Sequence, residues 1–164
     1  MLTIRCTRKL LKRLGTEAVS EPARPTNRLG DWYANLVFSR RLRLIICVSE
    51  RSLLPVLVEA RDFPSFIPRF REAVLSVLRH IGVASELLNS EEGEMGQITI
   101  GVTASRRVLG SLNDLASLAR FTLAERPEID LTALAIELAD TPCSPLNYET
   151  PRSVSLALLG RVYS

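Results

Sequence analysis

Apolar and polar residues alternate over residues 2–6 (LTIRC), the period of a short strand. The pattern then turns helical. Thr7 is placed to cap residues 8–14, Leu10, Leu11 and Leu14 share one face, and Gly15 follows as a C-terminal stop. Residues 16–30 hold Pro22, Pro25 and Gly30 among small polar residues with no apolar period, which predicts a partly mobile surface loop.

Three β-rich runs follow, residues 33–38, 42–48 and 53–59, joined by Ser39-Arg40-Arg41 and Ser49-Glu50-Arg51-Ser52. Connectors this short between strands predict an antiparallel meander. Pro55 cannot donate to a ladder, so the third run belongs at an edge or after a bulge. Leu44, Ile45, Ile46, Cys47 and Val48 are contiguous, as in a strand covered on both faces.

The cover is predicted from what comes next. Pro68 suits the first turn of a helix running to residue 81, with Phe70, Ala73, Val74, Val77, Leu78 and Ile81 on its inner face and Gly82 ending it. Residues 83–88 read as a short helical turn, 91–96 as an acidic loop and 98–102 as a further strand. Ser111 and Asp114 form an S-x-x-D box that would open a helix to residue 125. Asp130 is expected to cap a helix to residue 139, and Thr150 with Pro151 to open a last one that Gly160 stops. The expected class is α+β: an antiparallel meander with an N-terminal strand–helix unit, covered by helices, with a mostly helical C-terminal half.

Length changes this picture little: 164 residues, 46% hydrophobic and 24% charged, make one domain of residues 1–164 with a core of its own. No apolar run is long enough to span a bilayer, and the basic N-terminal residues lead into no apolar signal segment. A cytoplasmic protein is the expectation. Cys6, Cys47 and Cys143 are an odd, widely spaced set, as expected of buried thiols in a reducing compartment. The net charge of +3 is local, because residues 1–30 carry seven basic side chains against two acidic ones. All but Lys9 and Lys12 of the 21 basic residues are arginine, a preference that coding bias explains as well as phosphate recognition does.

TIRCTRKLL (residues 3–11), DWYANLVF (31–38), RRVLGSLND (106–114) and TPCSPL (141–146) together resemble a family of small bacterial single-domain proteins catalogued only as a domain of unknown function. The likeness spans most of the chain. It implies a stand-alone domain and brings no activity, cofactor or catalytic residue with it.

The candidate chemistry is sparse. A single histidine, His80, and three scattered cysteines give no metal-ligand spacing, and no cofactor motif is present. His80 reads better as a helix C-terminal residue than as a base. Cys143, between Pro142 and Ser144-Pro145, is the one cysteine outside a regular element, and a packed thiol is the plainer reading. Asp31, Glu59, Asp62 and Asp114 show no spacing of a catalytic carboxylate pair.

Two binding candidates stand out. Arg106 and Arg107 precede Gly110, and the amides around Ser111 to Asn113 would be free at a helix start, which suits an anion or a nucleotide-like ligand; a plain turn competes with that reading. Arg8, Lys9, Lys12 and Arg13, joined by Arg40, Arg41 and Arg43 of the hairpin, would suit nucleic acid, with Trp32 and Tyr33 as stacking faces; a solvated helix face competes here. With a strong core pattern and no catalytic set, the first reading is a non-catalytic interaction or accessory module with a protein partner. Nucleic-acid binding and a phosphorylated ligand are the alternatives.

Overall fold

Short polar side chains set where five of the helices begin. Thr7, Asp62, Ser105, Asp130 and Thr150 have extended backbones, and each side chain accepts a hydrogen bond from the amide three residues on. That bond satisfies one of the amides a helix start leaves open. In chain order the computed structural model, which describes residues 1–40 and 42–160, has β1 (Leu2–Cys6), α1 (Arg8–Leu14), β2 (Trp32–Ser39), β3 (Leu42–Ser49), β4 (Pro55–Glu59), α2 (Phe63–His80), α3 (Ser85–Glu94), β5 (Ile98–Val102), α4 (Arg106–Glu125), α5 (Leu131–Ala139) and α6 (Pro151–Leu159). A single 3-10 turn, Ser144–Leu146, links α5 to α6.

The strands form one sheet in the order β4-β3-β2-β1-β5. β2, β3 and β4 are the expected antiparallel meander, with Pro55 in the edge strand β4. β1 adds parallel pairing, to β2 on one side and β5 on the other, so the sheet is mixed. Trp32 and Tyr33 point to opposite faces, as successive strand residues must. The Trp32 ring meets Phe70 of α2 edge-on, with centroids 5.3 Å apart, while the Tyr33 hydroxyl accepts from the Ser105 amide at the start of α4, 2.9 Å away. α2 and α4 therefore lie on opposite sides of the sheet. Leu44 to Val48 of β3, between them, are fully buried, as a continuous apolar run requires. α5 packs on β4 and touches both α2 and α4. α6 is tied to the β3–β4 loop by a buried bond from Ser155 Oγ to Ser52 Oγ, 2.8 Å long.

Three local expectations need correction. α2 starts at Phe63, not Pro68, because the Asp62 cap and Pro64 in the first turn open it earlier; Pro68 lies inside it. Residues 91–94 belong to α3 rather than to a loop, and Glu91 is buried there, accepting from the Arg28 amide; burial raises its pKa. Residues 16–30 have no helix or strand of their own and are tied to the body at several points. Val19 bridges to Gly101 at the edge of β5, Thr26 bonds to Met1, Leu29 is buried, and the Arg51 guanidinium donates to the carbonyls of Asn27 and Arg28.

The third correction is the most consequential. α4 begins at Arg106 under the Ser105 cap, so Gly110 stands inside the helix and the Ser111–Asp114 box opens nothing. The amides of Ser111, Leu112 and Asn113 lie a full turn inside, where each is spent on a carbonyl four residues back. Gly110 is exposed, and a Cβ added there meets nothing within 4 Å. Gly110→Ala is therefore expected to stabilise the protein by about 0.8–1 kcal/mol, the gain of alanine over glycine in a helix interior. A turn glycine would give a loss instead, so the sign of the change in thermal midpoint decides between the two structures.

Candidate nucleic-acid interface

The β2–β3 hairpin extends well past the end of β1, since Cys6 at the end of β1 is level with Ala34 whereas β2 runs on to Ser39. This protruding part carries Phe38, cross-strand from Arg43, and turns at Arg40, which takes a left-handed φ of 43°. Phe38 is 43% exposed, and Lys9 from α1 places its ammonium 4.6 Å from the ring centroid. A cation over an aromatic face is held by the ring quadrupole. Arg8, Lys12 and Arg13 occupy the solvent side of α1 while Leu10 and Leu14 are buried.

The other face of the hairpin tip borders a hollow of about 450 Å³ lined by Ser39, Arg40, Leu42, Leu123 and Pro127. The tip thus has an aromatic ring under a lysine on one side and an apolar hollow with an arginine on the other. Among the described residues none of Arg8, Lys9, Lys12, Arg13, Arg40 and Arg43 is in an ion pair; the pairs formed there involve Arg5, Arg61, Arg126, Arg152 and the N-terminus. Arg41 lies outside the described residues.

The stacking residues named from sequence are wrong. Trp32 and Tyr33 are 1% and 2% exposed, held in the core by α2 and α4. Phe38 is the exposed aromatic of this strand, and its signal was its position, last but one before Arg40.

The second candidate is dispersed. Arg106 is exposed, whereas Arg107 donates from Nη2 to the Pro145 carbonyl at 2.7 Å. Ser111 is buried, and Asn113 Oδ1 faces Asn35 Nδ2 at 3.4 Å. With Gly110 helical, no loop amides converge here on an anion.

The thiols are poor nucleophiles. Burial raises Cys6 to about 12 and lifts Cys47 well above its ordinary value; Cys143 is raised by burial and then by the Asp114 charge. Cys6 and Cys47 flank Ala34 across β2, two strand spacings or roughly 9–10 Å apart, beyond disulfide reach. His80 ends α2 with Nδ1 2.7 Å from the Ser76 carbonyl. Among the described residues no cluster of His, Cys, Asp or Glu could hold a metal, and no helix is long and apolar enough to cross a membrane.

A family defined by sequence covers nearly the whole of this fold. Residues 3–154 match the family described as Domain of unknown function (DUF6933). The chain belongs to it. The matched span runs from β1 into the first turn of α6, so the hairpin tip and the basic helix α1 lie inside it. No curated protein and no solved structure matches the chain.

Proposed function

We propose that this member of the DUF6933 family is a binding module that takes single-stranded nucleic acid at the tip of the β2–β3 hairpin. The observation that carries the reading is the exposed Phe38 ring beneath Lys9 and opposite Arg43, with unpaired basic side chains on α1 beside it. An aromatic face takes a base of any sequence, and cations along its flank take the backbone. The ordered hairpin and helix present these groups without refolding, which lowers the entropy cost of binding.

Fluorescence anisotropy with a labelled oligothymidylate, repeated across salt concentrations, tests this. The wild-type affinity is expected to fall linearly with log salt. Phe38→Ser should weaken binding about tenfold at constant salt slope, the loss of one stacked base. Lys9→Glu with Arg43→Glu should weaken it further and flatten the slope. No binding at low salt, or affinities that ignore all three substitutions, would end the proposal.

A second reading is a protein partner, favoured by exposed Leu118 and Phe121 on α4 and by Tyr148, which shares a cleft with Leu118 and is 73% exposed. Contiguous exposed apolar side chains mark contact surfaces. Phe121→Ser would then change the mass in solution and leave oligonucleotide affinity as it was.

A further inference from the structure

At the edge of the sheet, across β3 from the hairpin tip, β4, α2 and α5 border an open cleft of about 390 Å³, within the range of small-molecule sites. Two arginines converge on it through one residue. Arg69 of α2 donates from Nε to Ser65 Oγ at 3.2 Å and from Nη1 to the Glu59 carbonyl. Arg61 donates from Nε and Nη2 to the Glu59 carboxylate, at 3.0 and 2.7 Å.

The Glu59 carboxylate is thus bonded to Arg61, and Arg69 meets Glu59 only at its backbone carbonyl. Arg69 has no ion-pair partner among the described residues, and its Nη2 is buried without an acceptor. The pKa of Arg69 is lowered, by burial first and by the Arg61 charge second. A guanidinium held by two bonds yet left with unused donors is a preorganised half of a fork for an oxyanion. Opposite the arginines the cleft has an apolar floor of Leu57, Ala73 and Leu131 and two hydroxyls, Ser76 and Thr132, 3.4 Å apart.

We propose that this cleft binds a small monocarboxylate, its oxygens on the Arg69 and Arg61 guanidiniums and its apolar body on Leu57, Ala73 and Leu131. A monoanion is chosen over a phosphate dianion because Glu59 and Glu72 also line the cleft: one carboxylate ligand can meet Arg69, which has no ion-pair partner among the described residues, whereas a second negative charge would face two glutamates with no cation left for it. The site shares no binding side chain with the hairpin tip, although Glu59 pairs with Leu44 and the Ala60 amide donates to the Arg43 carbonyl, and it stands whether or not nucleic acid binds there.

Amide NMR spectra of the full chain, titrated with sodium benzoate and separately with inorganic phosphate, test the proposal. Benzoate is expected to give saturable shifts at the amides of Glu59, Arg61, Ala73 and Thr132, with phosphate giving far weaker ones. Arg69→Gln should abolish the benzoate shifts. Should that variant fold poorly, Arg61→Gln on an exposed side chain should weaken them without changing the fold. Shifts that never saturate, that persist unaltered in both variants, or that are larger with phosphate would overturn the assignment.

Discussion

Asp31→Ala is expected to cost about 3 kcal/mol or more, the range seen when one partner of a buried ion pair is removed. Asp31 is 2% exposed, just before β2, and its two oxygens have different duties. Oδ1 accepts the Thr3 amide of β1 at 2.9 Å, and Oδ2 accepts Arg5 Nε at 3.1 Å. Arg5 also donates from Nη1 to the Val102 carbonyl at 3.1 Å, so one carboxylate links β1 to the entry of β2 and, through the guanidinium, to the end of β5. The residue before it has to be glycine. Gly30 has φ of 78°, and a Cβ there would overlap Glu50, whose Oε1 accepts the Asp31 amide at 3.0 Å.

Urea unfolding followed by the fluorescence of Trp32, the single tryptophan, measures the effect. Asp31→Asn keeps an acceptor for Thr3 and loses the charge, so it should fall between wild type and alanine. Combining Asp31→Ala with Arg5→Met should recover part of the loss, because the stranded guanidinium is then gone. A midpoint for Asp31→Ala no lower than that of Glu128→Ala, an exposed loop position, would show that the carboxylate does not hold the strands together.

Trp32→Ala is expected to cost about 3–5 kcal/mol, since the surrounding sheet and helix cannot close over so large a void. The indole is 1% exposed, beneath Phe70 of α2, and Phe70 in turn meets Phe66 at 6.4 Å. Removing it takes away the aromatic contact by which α2 is seated on β2, together with its edge-to-face preference. Trp32→Phe should cost roughly half as much, because most of the volume remains. Far-UV circular dichroism in urea is the measurement, as the fluorescent residue is lost. The phenylalanine variant should bind an oligonucleotide as wild type does, whereas a drop in its affinity would restore Trp32 as a contact residue.

Three of the six helices were legible end to end because their signals are local. Thr7 with Gly15, Asp130, and Thr150 with Pro151 delimit α1, α5 and α6 as expected, since a cap depends on only four consecutive residues. The same locality misled at α4. Ser111 and Asp114 fit a capping box as well as Ser105 does, and what selects Ser105 is the bond its amide makes to Tyr33, 72 residues away in sequence. Gly110 then reads as a turn in the sequence and sits as a tolerated helical glycine in the fold. At α2, the proline nearer the apolar stripe drew the boundary to Pro68, while the Asp62 cap and Pro64 begin the helix a turn earlier.

The residues of the proposed binding surface were half legible. Charge on α1 shows in the sequence because the apolar period fixes which side faces water, and Arg8, Lys9, Lys12 and Arg13 fall there. Which aromatic accompanies them does not show. Trp32, Tyr33 and Phe38 share one strand, and only the position of β1 against β2 decides that the first two are covered and the third projects past the sheet.

The sequence by itself determined the family, the α+β class, the meander and the outward face of α1, all legible in patterns along the chain. The tertiary structure alone decided the parallel seating of β1 between β2 and β5, the start of α4, the burial of Trp32 and the convergence of Arg61 and Arg69 on Glu59. Each of these is a competition between near-equal local choices, settled by contacts between segments that only the packed sheet brings together.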